Sequence, residues 1–158
     1  MQRERAIFGF SLVELILVIA ILSILAVPIY FRWSGSFMTL TSQAQILANN
    51  LRYTQNLSMA QHQRFSLVRL SATSYQIQDA AGQAVRNPLD SEIVTLTSGV
   101  TFGTFQAIAN RITFSSEGVP FNDSATPAPL ITTAELPMIL DNRTEVVTVS
   151  PETGMVTP

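Results

Sequence analysis

The chain of 158 residues is 47% hydrophobic and only 13% charged, with nine basic residues against eleven acidic ones and a net charge of −2. All nine basic residues are arginines, scattered rather than clustered, a balance that does not favour a nucleic-acid partner. There is no cysteine, so no disulfide holds any part of the fold, and one small domain beyond an apolar N-terminal run accounts for the length.

Residues 10–31 are almost purely apolar, interrupted by one carboxylate, Glu14, and closed by Arg32 and Trp33. At about 1.5 Å per residue a helix of this length reaches roughly 33 Å, against about 30 Å for a bilayer core. The pattern predicts a membrane-spanning helix. Arg3, Arg5 and the amino terminus favour a cytoplasmic start, while Tyr30 and Trp33 suit the outer interface. A cleaved secretory signal would have a shorter apolar run, about 7 to 15 residues, ending in a small-x-small site. An uncleaved signal anchor stays open on these grounds alone.

Glu14 does not fit a plain anchor. An ionised side chain in mid-membrane costs about 2.5 to 3.5 kcal/mol, so such acids usually face protein and pair. No Arg, Lys or His lies within residues 10–31, and the partner must come from elsewhere.

The string Gly9-Phe10-Ser11-Leu12-Val13-Glu14-Leu15 with the run behind it resembles the class III signal of type IV pilins and type II secretion pseudopilins, usually Gly-Phe-Thr-Leu-Ile/Val-Glu-Leu. The resemblance implies that prepilin peptidase cuts after Gly9 on the cytoplasmic side and methylates Phe10, the first mature residue. It also implies that Glu14, the fifth mature residue, pairs with the N-terminal amine of a neighbouring subunit during assembly. Ser11 replaces the commoner Thr, and Pro28 falls slightly earlier than the helix-bending proline of the family. A proline inside a helix lacks a donor and clashes with the preceding turn, so a bend is expected there. Removal of residues 1–9 takes away Arg3, Glu4 and Arg5, leaving 7 basic against 10 acidic residues, or −3.

Beyond the run, Ser34-Gly35-Ser36 is expected to loosen the chain. Leu40, Ala44, Leu47, Ala48 and Leu51 then recur at helical spacing, with Ile46, Tyr53, Leu57 and Ala60 widening the face, and predict a second helical segment over residues 37–61. Gln43, Gln45, Asn49, Asn50, Asn56 and Gln61 are expected on its opposite, polar side. Strand signals follow at residues 64–70, 75–79, 92–97, 99–105, 111–115 and 144–150, and a last short strand at 155–157 follows the turn Pro151-Glu152-Thr153-Gly154. No helical pattern separates these runs, so the pairing is expected to be antiparallel. Residues 119–137, with Pro120, Pro127, Pro129 and Pro137, read as a long irregular insertion.

The expected fold is therefore α+β and pilin-like: a long N-terminal helix, membrane-spanning in its first half, packed on an antiparallel β domain. Residues 1–9 would be a leader peptide, 10–31 the transmembrane and filament-core helix, 32–61 its amphipathic continuation, and 62–158 a periplasmic β domain. Within the outer region Leu47-Ala48-Asn49-Asn50-Leu51-Arg52-Tyr53, Gln61-His62-Gln63-Arg64, Ile112-Thr113-Phe114 with Glu117-Gly118, and residues 146–154 resemble the GspH/FimT group of minor pseudopilins and minor pilins, with MSHA-type minor pilins as close competitors.

Catalytic chemistry finds no constellation. His62 stands alone; Asp90 with Glu92, and Asn122 with Asp123, could offer oxygen ligands to calcium but lack EF-hand spacing. No phosphate loop or serine elbow is present, and no enzyme activity, metal or cofactor is expected. Arg64, Arg69, Arg86, Arg111 and Arg143 are read as surface residues rather than a phosphate-binding face. The resemblance implies a subunit that is incorporated into, or primes, a type IV pilus or type II secretion pseudopilus. Its partners would be prepilin peptidase, other pilin or pseudopilin subunits met through the N-terminal helix, the inner-membrane assembly platform and membrane lipid. Its place would be the bacterial inner membrane, single pass, with the C-terminal domain in the periplasm. The alternative is a pilus-associated binding module for DNA, a surface or a secreted substrate.

Overall fold

A computed structural model describes residues 12–32, 35–106, 108–122 and 128–158, with 23–32 and 35–37 described by backbone alone. The chain divides into two compact units, Met1–Gly35 and Ser36–Pro158.

In the first unit, helix α1 (Leu12–Arg32) runs through Pro28. Its run of Leu, Ile, Val and Ala has little amphipathicity, because apolar residues occupy every side.

The second unit opens on helix α2 (Gly35–Gln61), all of which but Gly35 belongs to it. Gly35, expected in a loosened stretch, is helical. The helix ends where His62 takes a left-handed conformation, φ 51°, which stops the i→i−4 ladder. Ten strands follow: β1 (Phe65–Arg69), β2 (Ser74–Gln78), β3 (Ala84–Val85), β4 (Ile93–Thr95), β5 (Thr101–Phe102), β6 (Arg111–Phe114), β7 (Pro120–Phe121), β8 (Ala134–Leu140), β9 (Arg143–Val149) and β10 (Val156–Thr157). Among the described residues they form two antiparallel sheets. The first has the order β3-β2-β1-β6-β7, with β4 also on β2; the second is β10-β9-β8-β5.

Side-chain alternation decides what each strand buries. Tyr75 and Ile77 of β2, Ala134, Leu136, Met138 and Leu140 of β8, and Val147 and Val149 of β9 point inward. All of these except Ile77 meet Leu40, Ala44, Leu47, Ala48 and Leu51 of α2 in one core. Fully burying a side chain of this size contributes about 1.5 to 3 kcal/mol, so this shared core is what holds α2 on the sheets. The hairpin β1–β2 and the second sheet are linked by main-chain bonds: Phe102 N donates to Ala72 O at 2.7 Å, and nearby Leu96 N donates to Thr73 O at 2.8 Å.

Two sequence expectations are corrected. Residues 119–137 are not irregular throughout: among those described they hold β7 and the first half of β8, one of the longest strands. The prolines concealed this, since proline usually argues against a central strand. Pro137 sits inside β8 because its carbonyl, and hence its missing N–H, faces Gly103, whose N donates to Pro137 O at 2.9 Å. A Cβ on Gly103 would lie 3.0 Å from Pro137 Cγ, so the glycine makes room for the ring. The second correction is Asn50, which is 3% exposed and sits on the buried side of α2 rather than with the outward polar residues.

Candidate functional site

The proposed cleavage and methylation residues, Gly9 and Phe10, lie outside the described residues. Glu14 lies in the first turn of α1 with its side chain exposed. It has no cationic partner among the described residues. Around it Leu12, Val13, Leu15, Ile16, Leu17, Val18, Ile19, Ile21 and Leu22 are all exposed, from 45% at Val18 to 73% at Leu12. A carboxylate within an uncovered apolar helical surface is chemically a contact element: the hydrocarbon favours lipid or another helix, and the charge favours a cation brought by that neighbour. Among the described residues no helix is long and apolar enough to cross a membrane. The side chains of α1 are described only as far as Leu22, and the expected span at residues 10–31 begins before the described residues.

The mounting of α2 explains why its sequence departs from a plain apolar stripe. Asn50, Thr54 and Ser58, four residues apart, form a buried polar row. Thr54 Oγ1 donates to Asn50 O at 2.7 Å and Ser58 Oγ to Thr54 O at 3.0 Å, so both hydroxyls are satisfied within the helix. Ser58 Oγ also accepts from Phe65 N at 3.2 Å, fastening the start of β1 to the end of α2. Asn50 Nδ2 donates to Tyr75 Oη at 2.8 Å. Burial pushes the Tyr75 phenol up to about 12, with the Asn50 hydrogen bond acting in the opposite direction. On the flank of α2, Gln55 Nε2 donates to Gly118 O at 2.9 Å and Thr153 O at 3.0 Å, and Arg52 Nη2 to Val156 O at 2.9 Å. Two hairpin turns and the last strand are thus held by one helix face. The sequence pointed to the turn at Gly154 but not to Gln55, whose role depends on contacts far along the chain.

The remaining candidates are dispersed. His62 is exposed at the end of α2. Asp90 pairs with Arg86 at 2.8 Å across exposed side chains, and Asn122 Oδ1 accepts from Ala128 N at 3.2 Å; Asp123 lies outside the described residues. Among the described residues no three His, Cys, Asp or Glu side chains come together as a metal site. Serine hydrogen bonds, Ser116 first, hold the exposed Glu117 carboxyl below its ordinary value. A shallow cleft of about 460 Å³ at the start of α2 is lined by Met38, Thr39, Ser42, Gln43 and Thr97, with no ionisable side chain among them.

The arginines have structural occupations. Arg69 lies over the rings of Phe102 and Phe105, 5.7 and 5.1 Å from their centroids, and its Nη1 donates to Gly103 O at 2.8 Å. Arg64 lies over Phe121 at 5.2 Å, and Arg111 Nη2 donates to Gln78 Oε1 at 3.0 Å.

Comparison with known proteins supplies two findings. Residues 5–30 match the family described as the prokaryotic N-terminal methylation motif. The fold is similar to the crystal structure of the type IV minor pilin FimU of Pseudomonas aeruginosa (strain PAO1), with 15% identity over 75% of this chain and 86% of that one and a TM-score of 0.56. It is likewise similar to the minor pseudopilin EpsH from the Type 2 Secretion System of Vibrio cholerae, with 16% identity over 75% of this chain and 94% of that one and a TM-score of 0.56. No curated protein matches the sequence. The motif match covers the N-terminal residues, and the likeness to the two solved structures is one of fold, α+β with antiparallel sheets.

Proposed function

We propose that the chain is a minor pilin or pseudopilin that is cut after Gly9 by prepilin peptidase, methylated on Phe10, and built into or used to prime a type IV pilus or type II secretion pseudopilus. The observation that carries this reading is the methylation motif at residues 5–30 on a chain whose fold is similar, over 75% of its length, to those of a minor pilin and a minor pseudopilin. Residues 10–31 hold the subunit in the inner membrane before assembly and in the filament core afterwards, with residues from about 36 onward in the periplasm. Glu14 supplies the charge that a neighbour's N-terminal amine neutralises, which sets the new subunit's register. The inner-membrane assembly platform is the partner that moves it from lipid into the filament.

N-terminal mass analysis of membrane-extracted protein tests the reading. The expected result is a chain starting at Phe10 and carrying one methyl group. An intact Met1, or a terminus near Trp33, sinks it.

A further inference from the structure

The first sheet turns one face to the core and the other away from it. Leu67, Tyr75 and Ile112 point inward, so alternation sends Ser66, Val68, Gln76, Gln78, Arg111 and Thr113 to the outer face. Ser66 and Thr113, side by side in the register of β1 and β6, share a hydrogen bond at 2.9 Å. Phe121 of β7 stands beside Thr113 on the same face and carries Arg64 over its ring, while Arg111 is steadied by the Gln78 side chain.

Neither contact neutralises its arginine. The Phe121 ring and the Gln78 amide are uncharged, and a guanidinium has five N–H donors. Gln78 engages one nitrogen of Arg111, and among the described residues no hydrogen-bond acceptor engages Arg64. No strand position of this face holds a carboxylate. Asp79, next to Gln78, is occupied in the β2–β3 turn, where its Oδ1 accepts from Ala81 N at 2.9 Å and Gln83 N at 2.8 Å. Glu117, in the turn between β6 and β7, senses the Arg64 charge but forms no ion pair with it. The face is therefore electropositive in a chain whose net charge is −2.

The spacing of the two cations says what fits them. Arg64 precedes Val68 by four residues, and Val68 pairs with Arg111, so the two stems are rooted about 13 Å apart along the strand direction and one strand apart across it. In an extended peptide, side chains four positions apart lie on one side and span the same distance. A nucleic acid fits less well, because two cations are few for a phosphate backbone and the Phe121 ring that a base would stack on is already covered by Arg64. We propose that this face docks an extended acidic segment of a partner protein, laid along β1 with two carboxylates four positions apart seated on Arg64 and Arg111. Each guanidinium then offers its fork to a carboxylate, and the residues between them rest on Ser66 and Val68.

Fluorescence anisotropy of the full chain in detergent tests this, with the labelled peptide Thr-Glu-Thr-Val-Thr-Glu-Thr as probe. The same peptide with both Glu replaced by Gln should bind about ten-fold more weakly. Moving one Glu by a single position, which turns it to the other side of the strand, should cost about as much as removing it. Arg64→Gln and Arg111→Gln should each weaken the glutamate peptide about five-fold, and Arg111→Lys should weaken it less than Arg111→Gln. Arg86→Gln, whose arginine is paired with Asp90, should leave binding unchanged. Equal binding of the Glu and Gln peptides, or a loss at Arg86 as large as at Arg64 and Arg111, overturns the proposal. So does tighter binding of a short thymidine oligonucleotide, which would make the face a phosphate site. The peptide comparison needs no change in the protein, so it decides even where a variant folds poorly. None of these outcomes alters where the mature chain begins, so this proposal and the reading of the N-terminal motif fail separately.

Discussion

Asn50 Nδ2 donates to Tyr75 Oη at 2.8 Å inside the core, so that a helix side chain and a strand side chain 25 positions apart satisfy each other where neither meets water. The pair is a polar bolt through an otherwise apolar seam. Asn50→Leu should cost about 1 to 3 kcal/mol, because it leaves the buried phenol without its donor. The double variant Asn50→Leu/Tyr75→Phe should recover part of that loss, since both polar groups then go together. A denaturant series on the wild type, Asn50→Leu, Tyr75→Phe and the double variant measures this; strictly additive losses would mean that the two side chains act independently.

The same phenol makes stability fall in alkali. Its folded value is about 12 against an unfolded value near 10, so the buried neutral form contributes its full stability below pH 10. That contribution is lost as pH rises from about 10 to about 12, reaching about 3 kcal/mol at full loss. Tyr75→Phe should flatten the drop between these values, read from unfolding curves at about pH 9 and pH 11. An unchanged slope would show that Tyr75 ionises freely in the native state.

Gly154 and Gly82 both have positive φ, 66° and 79°, but only one is crowded. A Cβ on Gly154 would lie 2.6 Å from Gly118 O and 2.5 Å from Gln55 Nε2, whereas one on Gly82 meets nothing within 4 Å. Gly82→Ala should cost about 1 kcal/mol from backbone strain alone. Gly154→Ala should cost about 2 to 4 kcal/mol, because the turn must also move off Gln55 and the Gly118 carbonyl. Thermal unfolding of the two variants ranks them; equal losses would leave the crowding without consequence.

Because Ser36–Pro158 forms its own compact unit with its own core, it should fold without the first unit. A chain starting at Ser36 should give a mixed helix and strand spectrum by circular dichroism and a cooperative melt. Aggregation or a coil spectrum would place the boundary elsewhere.

Glu14→Ala removes a charge whose insertion costs about 2.5 to 3.5 kcal/mol in mid-membrane, so cleavage after Gly9 and membrane retention should persist. Recruitment into filaments alongside unaltered partner subunits should drop. Glu14→Gln keeps the shape and hydrogen-bonding capacity, and separates the charge from both. Normal incorporation of either variant, measured by immunoblot of sheared filaments, contradicts the role given to Glu14.

The parts of the molecule that follow local rules were legible from residue order. The helical spacing of Leu40, Ala44, Leu47 and Leu51 marked the buried face of α2, whose end at Gln61 coincides with the expected end. The residues around Gly9 form a contiguous signal and were read as a unit. What escaped were features settled by distant partners. Pro137 spoke against a strand until Gly103 was found beside it, and Asn50 looked like a surface residue until Tyr75 was found to accept its hydrogen bond. The start of β9, which β10 does not reach, is of the same kind, because it is set by one strand outlasting another.

That shortfall of β10 against β9 bears on how the protein is handled. An affinity tag fused after Pro158 would leave β10 already aligned with β9, and a few extended residues of tag could lie along Thr144 and Val146 as an added strand. Such a tag would sit beside that edge at an effective concentration no free strand reaches, covering it while leaving the rest of the molecule unchanged. A tag on the exposed β2–β3 turn at Ala81 and Gly82 keeps clear of it.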